Sequence, residues 1–210
     1  MPLAGRRKRA KAEHIAAQVL SFIPPEPPSA HIDMTEYYLP ASHFLRAIFY
    51  EEIGLEGSKQ ARHNLKVLIE HMYDEDESNR DWAALFLSQY VESTRELYDV
   101  SAVRAAFLHV CSLDDLDARE EALVGLSHVD REAAIPLVLA EFKEDETSDT
   151  LIEAAEICAD TRFLPYLRSY EEWVTNELTL TITKNAIRAC EEGPESHIEQ
   201  QYRGSTSSDD

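Results

Sequence analysis

The side chains most suited to binding a metal ion in this chain are the carboxylates of three acidic runs. They occupy residues 74–77, 114–117 and 144–149, and clustered carboxylates of this kind can bind Ca²⁺. The spaced Asp/Asn/Gly pattern of a calcium loop and its terminal bidentate glutamate are absent from the sequence. Each run instead precedes an apolar, helix-like stretch, where Asp, Ser and Thr cap free N–H groups and negative charge favours the helix dipole. The runs are therefore predicted to be solvated helix starts and not metal sites.

The histidines and cysteines form no pattern of a metal or catalytic centre. Eight histidines occur, and none belongs to an HExxH motif. Cys111, Cys158 and Cys190 are widely spaced and lie among apolar residues, which is typical of buried free thiols in a reducing compartment. The sequence also has no phosphate-binding glycine loop and no GxSxG elbow. It therefore predicts no catalytic residue, no metal and no cofactor.

The overall charge restricts the class of partner. The 210 residues contain 40 acids and 20 bases, which gives a formal net charge of −20 at pH 7. General binding to DNA or RNA requires clustered cations, so this balance opposes it. A protein with a basic surface is the expected partner. No stretch approaches the roughly 20 apolar residues of a membrane-spanning helix, so no membrane contact is expected.

Residues 1–41 differ from the rest of the chain. Residues 1–11 are predicted to be a basic, disordered arm, residues 14–23 a short helix, and residues 24–41 an extended, proline-rich linker. The arm and the apolar stretch resemble a signal peptide in outline, but polar residues interrupt the stretch and no small-residue cleavage site follows. A cytoplasmic location is therefore predicted. The arm is interpreted as a solvated terminus, with a nucleic-acid tail as the alternative.

The acidic runs recur because a larger unit recurs. In each unit an acidic turn leads into an alanine-centred amphipathic helix, and a connector and a second apolar helix follow. From Ala83 to Ala122 is 39 positions, and from Ala122 to Ala155 is 33. A paired-helix period of this length is the signature of an α-solenoid, in which no unit can bury its apolar face alone.

The apolar spacing predicts an all-α protein. First helices are predicted at 79–91, 117–127 and 149–159, and second helices at 101–112, 131–143 and 162–173. A further helix pair precedes them, with Ser42 and Ser58 as expected N-caps. A last helix near 176–192 is expected to close the stack. The predicted solenoid domain thus covers residues 42–192, and residues 193–210 are predicted to be a disordered tail.

Two stretches resemble a known family. Residues 80–87, RDWAALFL, and residues 117–126, DAREEALVGL, are similar to small bacterial HEAT-repeat proteins of the phycobilin-lyase-like group. Residues 153–167 resemble the ending of that family's repeat, so the resemblance covers about residues 78–173. It implies a right-handed stack of antiparallel helix pairs that usually serves as a binding scaffold.

The resemblance also implies an ion-pair ladder between successive repeats, formed by an Asp that shortly precedes an Arg. Asp76 with Arg80 and Asp115 with Arg119 match this pattern at the same spacing. The third repeat departs from it, because Leu151 stands where the arginine belongs. Its contact with its neighbour is therefore expected to be weaker or more apolar.

A partner surface follows from the same resemblance. In HEAT-like stacks the second helices line the inner surface, so the residues off their apolar stripes are the candidates for partner binding. These candidates are Arg104, Leu108, Leu137, Glu141, Tyr166 and Trp173. The aromatic residues Tyr166, Tyr170 and Trp173 have helical spacing, so core packing against the last helix is the favoured interpretation of this stripe and a binding patch is the alternative.

The favoured function is a non-enzymatic interaction scaffold that binds a basic protein. Two alternatives stay open. One is a lyase-like HEAT protein or enzyme accessory that handles a pigment or another small molecule. The other is an acidic inhibitor or immunity-type protein that masks a basic partner.

Overall fold

A computed structural model describes residues 39–144 and 147–194, and this part of the chain is all-α. It contains no strand in those two ranges. The helices are α1 (His43–Phe49), α2 (Ala61–His71), α3 (Glu77–Tyr90), α4 (Val100–Cys111), α5 (Leu116–Val129), α6 (Arg131–Glu141), α7 (Asp149–Cys158), α8 (Leu164–Glu171) and α9 (Glu177–Glu192). Two short 3₁₀ turns, Arg95–Leu97 and Thr161–Phe163, precede α4 and α8. The prediction of an all-α chain is confirmed over these ranges.

Polar side chains begin most of the helices. The N-cap residues that accept a backbone N–H from the first turn are Ser42, Asp76, Asp99, Asp115, Asp130, Ser148 and Asn176. Ser42 therefore caps α1 as predicted. The predicted cap at Ser58 is wrong, because α2 begins at Ala61 and only the backbone carbonyl of Ser58 accepts a hydrogen bond from Ala61, at 3.2 Å.

The described helices form two layers. The first helices α3, α5, α7 and α9 contact each other in succession. Each second helix lies against this first-helix layer: α2 against α3, α4 against α5, α6 against α5 and α7, and α8 against α9. Because every second helix reverses the chain, the starts of the first helices and the ends of the second helices lie on the same side.

The core lies between the two layers and encloses two of the first helices. Residues 82–88 of α3 and 121–127 of α5 are all buried, so these helices have no solvated face along two turns. The second helices instead bury one stripe, such as Val103, Phe107 and Val110 on α4. Small residues on the first helices allow neighbouring backbones to approach closely, as ridge-and-groove packing requires.

Gly125 marks a close approach between the two layers. A Cβ atom at this position would lie 2.1 Å from Cζ of Phe107, whose side chain is fully buried. The Phe107 ring of α4 therefore rests directly on the backbone of α5, where any side chain larger than hydrogen would overlap it. This contact fixes the distance between α4 and α5.

Several predicted segments lie outside the described residues. They include the basic arm, the short helix at 14–23, almost all of the linker up to residue 41, and the tail beyond residue 194. Among the helices that are described, none combines the length and the apolarity needed to cross a bilayer.

The Gly125 contact predicts that Gly125→Ala destabilises the fold. In an exposed helix interior, alanine is more favourable than glycine by about 1 kcal/mol. Overpacking a filled core, however, costs about 1–3 kcal/mol or more. The overlap with Phe107 should dominate, so urea unfolding should show a net loss of stability. In a Phe107→Leu background the same change should cost much less. An equal cost in both backgrounds would contradict this account.

Candidate protein-interaction surface

The starts of the first helices are linked side by side by polar contacts. These links are Arg80 Nη2 to Asp115 Oδ2 (3.3 Å) between α3 and α5, Ser148 Oγ to Glu120 Oε2 (2.6 Å) between α7 and α5, and Thr179 Oγ1 to Asp149 Oδ2 (3.4 Å) between α9 and α7. The rings of Tyr73 and His109, which follow α2 and end α4, stack at 4.6 Å. Four connectors from separate parts of the sequence therefore form one continuous side of the molecule.

We call this side the acidic edge, and it comprises residues 73–77, 113–117, 141–144, 147–149 and 171–178. These residues include thirteen aspartates and glutamates and a single lysine, Lys143. Among the described residues, this side of the fold therefore has a large acidic excess. A basic protein would meet a favourable potential here.

Helix capping explains only a minority of these acids. Asp76 and Asp115 accept N–H groups of α3 and α5, while Ser148 and Asn176 cap α7 and α9. The prediction that the acidic runs are helix starts is correct, but the number of acids exceeds what the helix ends require. Most of the others have exposed side chains: Glu75, Glu77, Asp114, Asp117, Glu144, Asp149, Glu172 and Glu177.

Large apolar side chains are exposed between the acids. Five such side chains are strongly exposed in the described ranges, and four belong to the acidic edge: Tyr73 (49% exposed), Leu116 (44%), Trp173 (62%) and Leu178 (64%). The fifth, Tyr50, lies elsewhere. Scattered exposed apolar residues are ordinary, but their concentration on one strongly charged side is typical of an interaction surface.

The opposite edge, where first helices end and second helices begin, has a different charge pattern. Here arginines neutralise the acids: Arg104 binds Asp130, and Arg131 lies 3.8 Å from Asp160. Arg162 also binds Asp160, with Nε 2.8 Å from Oδ1. Arginines therefore pair with acids at both edges, since Arg80 also binds Asp115 at the acidic edge, and the two edges differ in how many exposed acids remain.

The four predicted ladder residues lie at the acidic edge, where Arg80 pairs with Asp115 at the start of the next first helix. Arg80 donates to the carbonyl oxygens of Asp74 (2.9 Å) and Glu75 (3.0 Å) and to Asp115 at the start of α5. Asp76 caps its own helix. Arg80 thus ties the connector before α3 to the cap of α5.

Arg119 repeats this arrangement one unit later. It donates to the Leu113 carbonyl at 3.3 Å, and its Nε lies 2.9 Å from Oε1 of Glu141, which is at the end of α6. Leu151 occupies the corresponding position on α7, and the contact between Ser148 and Glu120 joins α7 to α5 instead. Arg119 is therefore paired with an acid of a second helix, Glu141 of α6, whereas Arg80 is paired with the N-cap of a first helix.

The six predicted partner-binding residues do not form one surface. Arg104 pairs with Asp130 at the opposite edge, and Leu108 and Leu137 are half-buried against the core. Glu141 binds Arg119, and the ring of Tyr166 stacks on that of Phe142 at 5.6 Å. Trp173 is largely exposed, and its ring meets that of Tyr170 edge-on at 4.5 Å. Glu141 and Trp173 belong to the acidic edge. Of the six, Trp173 is the one with a large exposed apolar surface.

Sequence reasoning did not identify Tyr73, Leu116 or Leu178. A signal was present, because each is a large apolar residue inside or next to an acidic connector, where helix capping needs none. Helical periodicity could not separate them from core residues, since they lie at the ends of helices. Only the alignment of the connectors reveals them as neighbours.

A second polar cluster joins α1 to α2 and α3. Ser42 Oγ lies 3.1 Å from Nε2 of His71, and Nδ1 of His71 lies 3.0 Å from Oδ2 of Asp74. The atoms follow the order of a hydrolytic triad, but the Ser42 hydroxyl caps α1 and its N–H donates to Asn79 Oδ1 at 2.9 Å. A hydrolytic site would need the backbone N–H of Ser42 to stabilise an oxyanion, and Asn79 already accepts that N–H. We therefore assign the cluster a structural role.

The charge of Asp74 is favoured by this cluster. Burial by itself would raise the Asp74 pKa, but hydrogen bonds from the Asp76 N–H, His71 and Asn79 together lower it. Asp74 is therefore held ionised where the acidic edge begins.

The cysteines have the properties of inert core thiols. Burial raises the pKa of Cys158 to about 11 and that of Cys111 and Cys190 to about 12, so thiolate is scarce at neutral pH. Within the described ranges, no three His, Cys, Asp or Glu side chains are grouped as a metal site would need.

Glu120 has the most perturbed carboxylate on this side of the fold. Burial raises its pKa to about 7, and the negative charges of Asp117, Glu121 and Glu141 act in the same direction. The hydrogen bond from Ser148 opposes the shift without cancelling it. Glu120 is thus a carboxyl group that is partly neutral near physiological pH.

Comparison with known proteins finds a limited likeness. YibA of Escherichia coli K12, and of strain O157:H7, is 28% identical to this chain over 103 residues, which are 49% of this chain and 35% of YibA. The X-ray structure of Escherichia coli YibA superimposes with a TM-score of 0.46 and 21% identity, over 68% of this chain and 54% of YibA. The chain thus matches only about a third of the length of these relatives in sequence. No protein-family model matches it.

The Arg80 contacts predict that Arg80→Ala costs about 1–3 kcal/mol of stability, because two carbonyls and a carboxylate lose their partner. Arg80→Lys should recover little of this loss, since one ammonium cannot reach all three oxygens. Thermal or urea unfolding measures the effect, with exposed Lys66→Ala as the control within about 0.5 kcal/mol of wild type. Wild-type stability of Arg80→Ala would show that this contact contributes nothing.

The raised pKa of Glu120 predicts a pH-dependent gain from Glu120→Gln. A carboxyl whose folded pKa exceeds its unfolded value destabilises the fold as pH rises through about 7, and has no such effect below about 4.5, where both states are protonated. The substitution should therefore stabilise the protein at pH 8, by on the order of 1–3 kcal/mol, and leave it nearly unchanged at pH 4.5. Exposed Glu144→Gln is the control, and a gain of the same size at both pH values would contradict the assignment.

Proposed function

We propose that this chain is a HEAT-like α-solenoid that acts as a non-enzymatic scaffold and binds a basic protein through its acidic edge. The observation that carries the proposal is the presence of four exposed apolar side chains among the thirteen acids and one lysine of the acidic edge, where Arg80 and Arg119 are already engaged in ion pairs. Acids speed association with a basic partner, and buried apolar anchors govern dissociation.

The solenoid part of the proposal rests on how the helix pairs are joined. Successive first helices contact each other, and each second helix lies against the first-helix layer. The contacting first helices α3, α5 and α7 begin at residues 77, 116 and 149, and these spacings of 39 and 33 residues agree with the period in the sequence. Arg80 and Arg119 occur at equivalent positions and make similar contacts with backbone carbonyls, as repeated units would.

Trp173 is the best single anchor on the acidic edge. Aromatic residues dominate interface hot spots, and its indole is the larger of the two aromatic groups exposed there. The other proposed residues give less direct tests. Glu141→Lys would place a positive charge beside Arg119, and Tyr166→Ala would remove the ring that stacks on Phe142, so both changes would also disturb the fold.

The proposal predicts that Trp173→Ala weakens binding to the native basic partner at least tenfold without unfolding the protein. Tyr50→Ala is the matched control, because Tyr50 is a similarly exposed aromatic residue away from the acidic edge. The partner is first captured from the native host, and its affinity for each variant is then measured by calorimetry. The wild-type affinity should also fall as salt is raised from about 0.05 to 0.5 M.

Two results would contradict the proposal. Equal weakening by Trp173→Ala and Tyr50→Ala would show that exposed aromatic residues matter wherever they lie. Binding that is independent of salt, to a partner without a basic surface, would remove the role of the acidic edge.

A further inference from the structure

The chain contains a segment whose chemistry complements its own acidic edge. Five of its 20 lysines and arginines lie within residues 6–11, and an apolar stretch at 15–23 follows them. The acidic edge has the opposite charge, with many carboxylates, and it also has a few exposed apolar side chains. Both charge and apolarity therefore match, and the neutralised opposite edge offers no such match.

The described chain begins beside the acidic edge. The Pro40 carbonyl accepts a hydrogen bond from Nε of Arg46 at 2.7 Å, and the Ser42 N–H donates to Oδ1 of Asn79 at 2.9 Å. Asn79 in turn donates to Oδ2 of Asp74 at 3.0 Å, and Asp74 is on the acidic edge. The preceding residues are thus tethered at the end of the edge formed by residues 73–77.

The tether is long enough for the basic segment to reach the whole edge. Fifteen residues lie between Ile23 and Leu39, and an extended chain of that length spans up to about 50 Å. Four first helices packed at about 10 Å intervals extend over only about 30 Å. A short tether also gives the segment an effective concentration in the millimolar range at the edge.

We infer that residues 6–23 of the same chain bind the acidic edge and compete there with the basic partner. The cations of residues 6–11 contact the exposed carboxylates, and apolar residues of 15–23 cover Leu116, Trp173 or Leu178. This inference rests on the proposed function and adds a regulatory step to it, because an external partner must displace the segment before it binds.

Zero-length carbodiimide cross-linking of the full chain tests where the segment binds. Amines of Lys8 and Lys11 should join carboxylates of the acidic edge, as identified by peptide mass spectrometry, and the yield should fall severalfold at about 0.5 M salt. The variant Arg6→Gln/Arg7→Gln/Arg9→Gln keeps both lysines but weakens the attraction, so it should cross-link severalfold less. Lys59 and Lys66, exposed elsewhere, serve as internal controls.

Competition by a synthetic peptide of residues 1–28 provides the second measurement. The labelled peptide should bind the Arg6→Gln/Arg7→Gln/Arg9→Gln protein severalfold more tightly than wild type, because the edge is then unoccupied. Adding Leu116→Ser and Trp173→Ser to that variant should abolish the gain, whereas adding Tyr50→Ser should preserve it.

Each other outcome would overturn the inference in a distinct way. Equal peptide affinity for both proteins would mean that the tethered segment leaves the edge open. Cross-links found only between isotope-labelled and unlabelled copies would mean that the segment binds a second molecule. No peptide binding and no cross-links would reject the segment as an occupant, while the effect of Trp173→Ala on the native partner would still decide the proposed function independently.

Discussion

The close contact between successive first helices is the constraint from which the other features of the fold follow. Helices α3, α5, α7 and α9 contact each other in succession, and α3 and α5 are buried on every side over two turns. Such packing leaves little freedom for one helix to slide past the next. The register of the first helices sets the positions of their starts, so connectors far apart in sequence become neighbours.

This register also explains why the charge is divided between two edges. Polar contacts such as Arg80 to Asp115 form only where the start of one first helix lies beside the start of the next. At the other ends of these helices, Arg104 and Arg131 meet acids at the starts of second helices. The acidic edge has ion pairs of its own, Arg80 with Asp115 and Arg119 with Glu141, and its potential comes from the acids that stay exposed there. Local helix capping alone would not produce this asymmetry.

The sequence predicts the helices well because their apolar spacing and polar caps are local features. Predicted and observed helix bounds differ by few residues, and the 3₁₀ turn before α8 shortens that helix at its start. The N-cap predicted at Ser58 was wrong because serine is common in turns as well as at helix starts. The partners of Arg80 and Arg119 depend on which helices lie side by side, and that is not a local property of the sequence. The exposure of Leu116 and Leu178 has the same origin, so the candidate surface was predicted only at Glu141 and Trp173.

The end of α7 has a consequence for how the protein unfolds. Ala159 adopts a left-handed conformation (φ 47°), which is costly for a residue with a side chain, and the adjacent Cys158 carbonyl accepts a hydrogen bond from Arg131 of α6. The neighbouring helix thus helps to hold a backbone geometry that the local sequence does not favour. If α6 opened, the boundary between α7 and α8 would lose this support. Melting is therefore expected to spread between adjacent helix pairs and to resemble one cooperative transition more than a series of independent ones.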